Sequence, residues 1–173
     1  MRVFGLAGYS GSGKTSLMVR LIPELVRRGL RVSTMKHAHH GFDVDQKGKD
    51  SYEHRLAGAT EVLVTSARRW ALMHENRDEA EPGPDALIGH MSEVDLLLIE
   101  GFKREPHDKL EVYRPTLGMP LLAAEDPTVV AVASDGPVPG LAVPVIDLND
   151  TAAIADFIVA HCRLVPRPPA RTD

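Results

Sequence analysis

The chain has 173 residues, of which 43% are hydrophobic and 25% charged, and its formal net charge is −4. These are the proportions of an ordinary globular domain with its own core. The acidic balance argues against a nucleic-acid partner, which normally selects a basic surface. The single cysteine, Cys162, excludes an intrachain disulfide framework and disfavours a cysteine-based zinc site, so we expect a cytoplasmic location.

The chain has no apolar run that approaches the ~20 residues of a membrane-spanning helix, so we expect no membrane partner. The N-terminal residues also lack the pattern of a secretory signal. We predict a single domain over residues 1–164, followed by a disordered tail over 165–173 that is rich in proline and arginine.

The first part of the chain alternates strand and helix patterns, which is typical of a parallel α/β sheet. In chain order the predicted elements are a strand at 3–7, a loop at 8–13, a helix at 14–28, a strand at 31–36 and a polar loop at 37–49. The helix carries a leucine at every fourth position from Leu17 to Leu25, and Gly29 is its natural stop.

The middle of the chain predicts a short helix and a hairpin. Asp50 is the expected N-cap of a helix at 51–57, with Glu53 as its capping-box partner. Residues 61–65 and 69–74 alternate as two strands across a three-residue turn. The remaining predicted elements are a helix at 85–91, strands at 95–99, 110–114, 129–133 and 144–146, and a helix at 151–161.

Residues 8–15, Gly-Tyr-Ser-Gly-Ser-Gly-Lys-Thr, match the phosphate-loop pattern G-x-x-x-x-G-K-[ST] in full. Glycines let the backbone approach phosphates, successive N–H groups form an anion nest, and the next helix adds its positive dipole end. Lys14 is suited to the β- and γ-phosphates, and the Thr15 hydroxyl to Mg²⁺. The predicted phosphate-binding residues are Gly8, Ser10, Gly11, Ser12, Gly13, Lys14, Thr15 and Ser16.

The loop follows a predicted strand and opens a predicted helix, so we favour a phosphate site over a glycine-rich turn with a surface lysine. We therefore predict an α/β fold of the P-loop NTPase type, a three-layer sandwich with a mostly parallel central sheet and a β-hairpin extension. The expected ligands are GTP and Mg²⁺.

Two carboxylates flank the most apolar strand, Asp95 at its start and Glu100 at its end. They lie roughly 17 Å apart at about 3.3 Å per residue. Ligands bind at the carboxyl ends of strands in such sheets, so Glu100 is the predicted partner of Mg²⁺ or of the attacking water. The alternative is that Glu100 is a solvated charge at a strand end.

The polar loop after the second strand leaves the sheet beside the phosphate loop, and a switch over the γ-phosphate is one interpretation. We predict Asp45 as a metal and catalytic residue, together with Lys14 and Glu100. A zinc or nickel site is one interpretation of the histidine cluster formed by His37, His39 and His40. The alternative is a solvated or phosphate-facing cluster, because no cysteine or longer histidine tract supports a metal store.

Ser134 and Asp135 end a buried strand and are the candidate base-binding residues. A carboxylate accepts hydrogen bonds, guanine offers N1–H and N2–H₂ on one edge, and adenine offers no such pair. The usual guanine-reading N-K-x-D sequence is absent, and a plain turn aspartate is the competing interpretation. Asp147 is a second candidate, or simply helps to start the final helix.

One combination is more specific than the phosphate loop: Gly-Lys-Asp-Ser at 48–51 with Ile-Glu-Gly-Phe-Lys at 99–103. Further matching segments are 8–16, Lys-His-Ala-His-His at 36–40, 45–51, 57–59, 98–103 and 132–135. With these residues, nearly the whole chain short of its tail resembles the molybdopterin-guanine-dinucleotide biosynthesis adaptor proteins, the MobB family.

The resemblance implies a GTP-binding protein with weak GTPase activity that assists the attachment of GMP to molybdopterin. It implies molybdopterin or molybdenum cofactor and the guanylyltransferase of that pathway as partners. It also implies a homodimer that exchanges sheet elements, for which the hairpin at 61–74 is the candidate. Because the sequence offers no assignable arginine finger, we expect slow turnover, on the order of 10⁻⁴ s⁻¹.

Three other functions compete with this one. A metallochaperone GTPase would use the histidine cluster to deliver a metal to an apo-enzyme. A small-molecule kinase would need an arginine-rich lid over its acceptor, and no such segment stands out. A non-catalytic scaffold would hold the cofactor without needing Lys14.

Overall fold

The computed structural model describes residues 1–38, 41–102 and 105–166. Its strands are β1 Arg2–Ala7, β2 Val32–Lys36, β3 Glu61–Thr65, β4 Trp70–His74, β5 Leu96–Glu100, β6 Lys109–Tyr113, β7 Val129–Ser134 and β8 Val145–Asp147. Its α-helices are α1 Lys14–Arg27, α2 Asp50–Leu56, α3 Pro84–Ile88 and α4 Thr151–His161. The chain divides into two compact units, one built from Met1–His37 and the chain from Ser92 onward, the other from Ala38–Met91.

The first unit is built on a six-stranded sheet in the order β2-β5-β1-β6-β7-β8, in which every neighbouring pair is parallel. Its central strands are continuous apolar runs, as expected for a sheet that is buried on both faces. The register aligns Leu6 of β1 with Glu100 of β5, and Glu100 with Lys36 of β2. The carboxyl ends of these three strands therefore form one edge of the sheet.

Helices α1 and α4 cover one face of this sheet and form the main core with it. Leu17, Leu21 and Leu25 of α1 have no exposed surface, because their spacing of four places them on one stripe of the helix. Burying a leucine side chain stabilises the fold by about 1.5–3 kcal/mol. This stripe anchors the helix that begins directly after the phosphate loop.

Two charged residues lie buried on the other face of β6. Lys109 is 1% exposed, and its Nζ donates 2.9 Å to the Glu105 carbonyl and lies 3.3 Å from Asp126 Oδ2. Glu111 is fully buried, and its carboxylate accepts from the main-chain amides of Leu122 and Ala123 at 3.0 and 2.9 Å. Buried charges need such partners, so both side chains tie loop segments to the sheet.

The second unit contains α2, α3 and the antiparallel hairpin of β3 and β4. The hairpin pairs Glu61 with His74 at its open end and Thr65 with Trp70 at its turn. Val62 of β3 is 7% exposed, whereas Leu63, its neighbour on the opposite face, is 58% exposed. The Leu63 face of the hairpin therefore exposes an apolar side chain to solvent.

The α/β class, the mostly parallel sheet and the hairpin extension are confirmed, with strand ends shifted by at most one residue. Two helix predictions are wrong in detail. Helix α2 begins at Asp50 and not after it, because Lys49 takes the extended N-cap conformation and accepts from Glu53 N. Helix α3 begins at Pro84, whose fixed φ suits a first helical position, and ends at Ile88 before Gly89.

Residues 167–173 of the predicted tail lie outside the described residues. In the part of the chain that the structure does describe, helices long and apolar enough to cross a membrane are absent.

Candidate functional site

The phosphate loop, residues 8–13, lies between β1 and α1 at the carboxyl edge of the central sheet. β5 lies on one side of β1 and β6 on the other, with β7 beyond β6. Residues that end these four strands therefore meet around the loop. This is the edge at which open parallel sheets bind their ligands.

Glycine is required where the loop packs most closely. Gly8 has φ 138°, and a Cβ there would lie 2.5 Å from the Val112 carbonyl oxygen of β6 and 2.8 Å from Ser12 Oγ. Gly13, the N-cap of α1, is left-handed with φ 100°. The Ser12 side chain is buried, and its Oγ has no hydrogen-bond partner among the described residues. The loop is thus a compact turn of main chain with a buried hydroxyl.

Lys14 folds back over this turn, and its Nζ donates 2.9 Å to the Tyr9 carbonyl. The first helical turn, Lys14 to Leu17, contains no acidic residue, so nothing there neutralises the positive end of the helix dipole. The helix end and the lysine together make this corner attractive to an anion.

The structure brings Thr15 and Glu100 together. Thr15 Oγ1 donates 2.9 Å to Glu100 Oε1, and Lys36 Nζ lies 3.9 Å from the same oxygen. The Glu100 side chain is only 12% exposed, at the end of β5. Asp95 lies at the other end of this strand, where its Oδ2 accepts from the Arg31 main-chain amide at 2.8 Å. The geometry therefore favours Glu100 over Asp95 beside the phosphate loop.

The turn after Glu100 has an unusual backbone. Gly101 has φ 100° and Phe102 has φ 43°, a conformation that non-glycine residues rarely adopt. A Cβ on Gly101 would lie 2.8 Å from the Cβ of His37, whose ring packs against Phe102 with centroids 4.7 Å apart. This packing holds the carboxyl ends of β2 and β5 together and positions Glu100.

Asp135 follows β7 on the same edge, and the structure gives it a partner that sequence reasoning missed. The Arg114 guanidinium forms an ion pair with Asp135 Oδ2 through Nη1, while its Nε donates 3.0 Å to the Ser12 carbonyl. Arg114 follows β6 directly, so the available signal was a cation at the end of a predicted strand. That signal could be interpreted only once β6 was known to lie beside β1, which brings Arg114 to the phosphate loop.

Ser134, the other candidate base-binding residue, is buried and used locally. Its Oγ donates to the Gly136 carbonyl at 2.9 Å and accepts from the Gly136 amide at 3.2 Å, which shapes the turn after β7. Asp147 accepts from the amide of Asn149 at 2.8 Å, while Asp150 caps α4 by accepting from Ala153 N. The second carboxylate thus belongs to a turn that leads into the final helix.

Asp45 lies in the second unit, and its side chain is 7% exposed. Its carboxylate accepts from Ser51 Oγ at 2.9 Å and from Arg55 Nε at 3.2 Å. Burial works against the charged form, but these bonds and one from the Gln46 amide outweigh it and lower the pKa of Asp45. Arg55, whose pKa is raised by Glu75 and Asp43, bonds to both Asp43 and Asp45 of this loop. The metal role of Asp45 stays a prediction.

Of the predicted histidine cluster, His39 and His40 lie outside the described residues, as does Lys103 of the matching segment. His37 packs on Phe102. Among residues 1–38, 41–102 and 105–166, no group of three or more His, Cys, Asp or Glu side chains is placed to hold a metal ion.

The chemistry of this corner fits a triphosphate with Mg²⁺. Magnesium is bound by few protein oxygens together with phosphate oxygens and water, and a hydroxyl beside a carboxylate supplies such oxygens. Thr15 and Glu100 are the residues that would hold the metal, directly or through water. Gly8 and Gly13 leave the loop free of Cβ atoms where the main chain must turn tightly.

Comparisons with known proteins agree with this architecture. The family model described as molybdopterin guanine dinucleotide synthesis protein B matches residues 3–135. The molybdopterin-guanine dinucleotide biosynthesis adapter protein of Escherichia coli K12 is 46% identical over 160 residues, which cover 91% of each chain. The adapter protein of the same name from Haemophilus influenzae is 41% identical over 156 residues, covering 90% of this chain and 86% of its own.

Solved structures are similar as well. A crystal structure of molybdopterin-guanine biosynthesis protein B superposes with a TM-score of 0.71 at 26% identity, covering 92% of this chain and 99% of the other. The Bacillus subtilis MobB structure gives a TM-score of 0.70 at 26% identity, covering 94% of this chain and 98% of the other.

Proposed function

This chain belongs to the molybdopterin guanine dinucleotide synthesis protein B family, and on that premise we propose that it is a GTP-binding adapter in molybdopterin guanine dinucleotide biosynthesis. The observation that carries the proposal is the contact of Thr15 with Glu100 beside a complete phosphate loop. This contact supports the proposal because a hydroxyl and a carboxylate beside the loop are oxygens of the kind that Mg²⁺ on a triphosphate would use.

The phosphates are held by the main-chain amides of the loop, by the α1 N-terminus and by Lys14. Lys14 Nζ donates to the Tyr9 carbonyl, which places the ammonium group over the loop. A phosphate oxygen carries more negative charge than a carbonyl, so it would be the stronger partner for this ammonium group. Ser10 and Ser16 flank these groups with hydroxyls that can add phosphate contacts.

Thr15 and Glu100 hold Mg²⁺ in this proposal. When bound, the metal neutralises the phosphate charge and orients the terminal phosphoryl group. Glu100 is mostly shielded from solvent and already bonded to Thr15, so little reorganisation is needed to present both oxygens. The Asp45 carboxylate is bonded to Ser51 and Arg55 within the second unit.

Asp135 is the residue that we propose to read the base. Its carboxylate can accept from guanine N1–H and N2–H₂, and adenine lacks this pair of donors. Its place after β7, on the edge that carries the phosphate loop, supports this role. GTP is therefore the proposed nucleotide.

Turnover is slow in this proposal. Arg114, a cation beside the loop, directs its Nε to the Ser12 carbonyl and its Nη1 to Asp135. Without an arginine that reaches the transferring phosphate, small GTPases turn over at about 10⁻⁴ s⁻¹. The protein would then act mainly as an adapter, with molybdopterin or its metal-bound form and the pathway's guanylyltransferase as partners.

The hairpin supports a homodimer. Leu63, Leu72 and Trp70 share one face of the β3–β4 sheet and are 58%, 41% and 62% exposed. Within the described residues β3 pairs only with β4, so main-chain groups at the outer edges are available for a strand from a second copy. An exposed apolar face with free strand edges is suited to such pairing.

Calorimetry with GTP, ATP and GDP, with and without Mg²⁺, tests the proposal. We expect the wild type to bind GTP more tightly than ATP, and Mg²⁺ to tighten GTP binding. Lys14→Ala should weaken GTP binding about 10–100-fold, because a charge-assisted contact is lost. Arg27→Ala, which removes a cation roughly 20 Å away at the far end of α1, is the matched control.

Two results would contradict the proposal: no GTP binding by the wild type, or equal GTP affinity in the wild type and Lys14→Ala. Restoration of cofactor maturation by Lys14→Ala in a strain lacking this protein would point to a scaffold that does not need nucleotide.

A further inference from the structure

We propose that Arg114 is a positioning residue that braces the base-reading carboxylate against the phosphate loop and thereby sets guanine selectivity. This inference rests on the proposed function, because it assumes that Asp135 faces a bound base. It gives a role to a residue that stands in neither the phosphate-loop motif nor a guanine-reading motif.

The first observation is that one planar group holds two loops. Arg114 Nε donates 3.0 Å to the Ser12 carbonyl inside the phosphate loop, and Nη1 pairs with Asp135 Oδ2 after β7. These partners are 102 and 21 residues away from Arg114 in the chain. A guanidinium has a fixed shape, so contact at two of its nitrogens fixes the separation of the two partners.

The second observation is that the main chain packs closely around the Arg114 guanidinium and its two partners. A Cβ on Gly136, next to Asp135, would lie 3.1 Å from Cγ of Pro115, next to Arg114. A Cβ on Gly13, next to Ser12, would lie 3.4 Å from Arg114 Nη2. The guanidinium thus fills the space between the phosphate loop and the turn after β7.

This arrangement matters because the protein binds the base and the phosphates of one nucleotide at the same time. The ribose joins the base to the phosphates with limited reach, so a carboxylate selects guanine only if it stands at the correct distance from the phosphate loop. Bidentate recognition is sensitive to displacements of less than about 1 Å. Without the brace, Asp135 is held by its own turn alone.

The brace leaves Asp135 able to bind the base. A carboxylate has about four lone-pair sites on its two oxygens, and Arg114 occupies one of them. Guanine needs two. Arg114 therefore acts through Asp135 and does not compete with the base for it.

The experiment measures dissociation constants of GTP, ITP, ATP and inorganic tripolyphosphate for the wild type, Arg114→Gln and Arg114→Lys. Inosine lacks the 2-amino group of guanine, so the GTP-to-ITP ratio reports the second hydrogen bond to Asp135, and tripolyphosphate reports the phosphate loop alone. We expect a wild-type ratio of about 10, from a hydrogen bond to a charged group.

In Arg114→Gln the ratio should fall towards 1, while tripolyphosphate affinity stays within about threefold of the wild type. Arg114→Lys should lower the ratio similarly, because a single ammonium cannot span both partners. Arg28→Gln is the matched control: this arginine also bonds to carboxylates, Glu24 and Asp156, and to the Ala152 carbonyl, but near the far end of α1. The GTP-to-ITP ratio of Arg28→Gln should equal that of the wild type.

Asp135→Asn checks the other end of the brace. An amide donates where the carboxylate accepted, so this variant should lose GTP and gain affinity for XTP, which carries a carbonyl in place of the 2-amino group. Failure of Asp135→Asn to alter base preference would overturn the inference, as would a wild-type ratio in either Arg114 variant. If the Arg114 variants lost affinity equally for all four ligands, Arg114 would only maintain the phosphate loop, and the inference would be rejected.

The proposed function fails separately. It is contradicted if the wild type does not bind GTP or if Lys14→Ala binds GTP normally. Tight, Lys14-dependent GTP binding with an Arg114-independent GTP-to-ITP ratio would retain the proposed function and reject the brace.

Discussion

The hydroxyl of Thr15 donates a 2.9 Å hydrogen bond to Glu100, and this bond connects the first turn of α1 to the end of β5 although 85 residues separate the two side chains. Thr15 is the second residue of α1, the helix after β1, and Glu100 ends β5. The parallel register of β1 with β5 pairs Leu6 with Glu100, so the strand end and the phosphate loop leave the sheet at the same level. Sheet register thus brings together the two side chains that we propose for Mg²⁺.

Glu100→Gln should weaken the apparent Mg²⁺ affinity of the GTP complex by about 10–100-fold, the cost usual for losing an outer partner of a bound metal. The amide keeps the size of the side chain but removes its charge. Titration of GTP affinity against MgCl₂ measures the effect, and GTP affinity without Mg²⁺ should change little. Glu93→Gln, on an exposed side chain before β5, is the control. A normal Mg²⁺ dependence would remove Glu100 from the metal site.

Gly101→Ala should destabilise the fold by about 1–3 kcal/mol, because the residue has φ 100° and the new Cβ would approach the His37 Cβ to 2.8 Å. Urea unfolding measures the loss as a lower midpoint with an unchanged slope. Gly41→Ala is the matched control, since nothing lies within 4 Å of its would-be Cβ. For Gly41→Ala we expect the free energy of unfolding to stay the same or to rise by up to about 1 kcal/mol. Equal midpoints for the two variants would contradict this account.

His107 should make stability fall as the solution is acidified. Burial, aided by the nearby Lys109 charge, lowers the pKa of His107 below its ordinary 6.5, although Glu105, Asp108 and Asp126 oppose the shift. Between these two pKa values His107 binds a proton in the unfolded state but not in the folded state. The free energy of unfolding therefore declines as pH drops from about 6.5 towards the lowered pKa of the folded state. Above the ordinary value the penalty vanishes.

Replacing His107 with Gln should flatten this part of the pH profile, as measured by urea midpoints between about pH 5 and 8. His54→Gln, at an exposed position on α2, is the control and should leave the slope intact. A wild-type slope in His107→Gln would assign the acid sensitivity to other groups.

Leu63→Arg should convert the proposed dimer to a monomer, because a charge at this position would oppose burial of the apolar hairpin face against a second copy. Sedimentation velocity of the wild type and the variant measures the change. Val26→Arg, on an exposed position of α1, is the matched control and should leave the oligomeric state unchanged. A monomeric wild type, or a Leu63→Arg variant that remains dimeric, would reject the hairpin interface.

Much of the fold follows from local patterns. The phosphate-loop motif, the leucine stripe of α1, the hairpin and the final helix each occupy a contiguous stretch, so their periodicity and turn chemistry predict them. The same holds for Glu100, since the position of a residue at the end of a strand is enough to place it on the ligand-binding edge. The roles of the predicted site residues in nucleotide and metal binding remain predictions.

The sequence by itself therefore determined a phosphate loop between a strand and a helix, an α/β class and a carboxylate at the right strand end, because these depend on near neighbours in the chain. Only the tertiary structure decided that β6 lies beside β1, and with it that Arg114 meets Ser12 and Asp135. It also decided that Lys109 and Glu111 are buried among loop partners. Strand order and long-range ion pairs depend on how distant segments pack, and no local pattern records that packing.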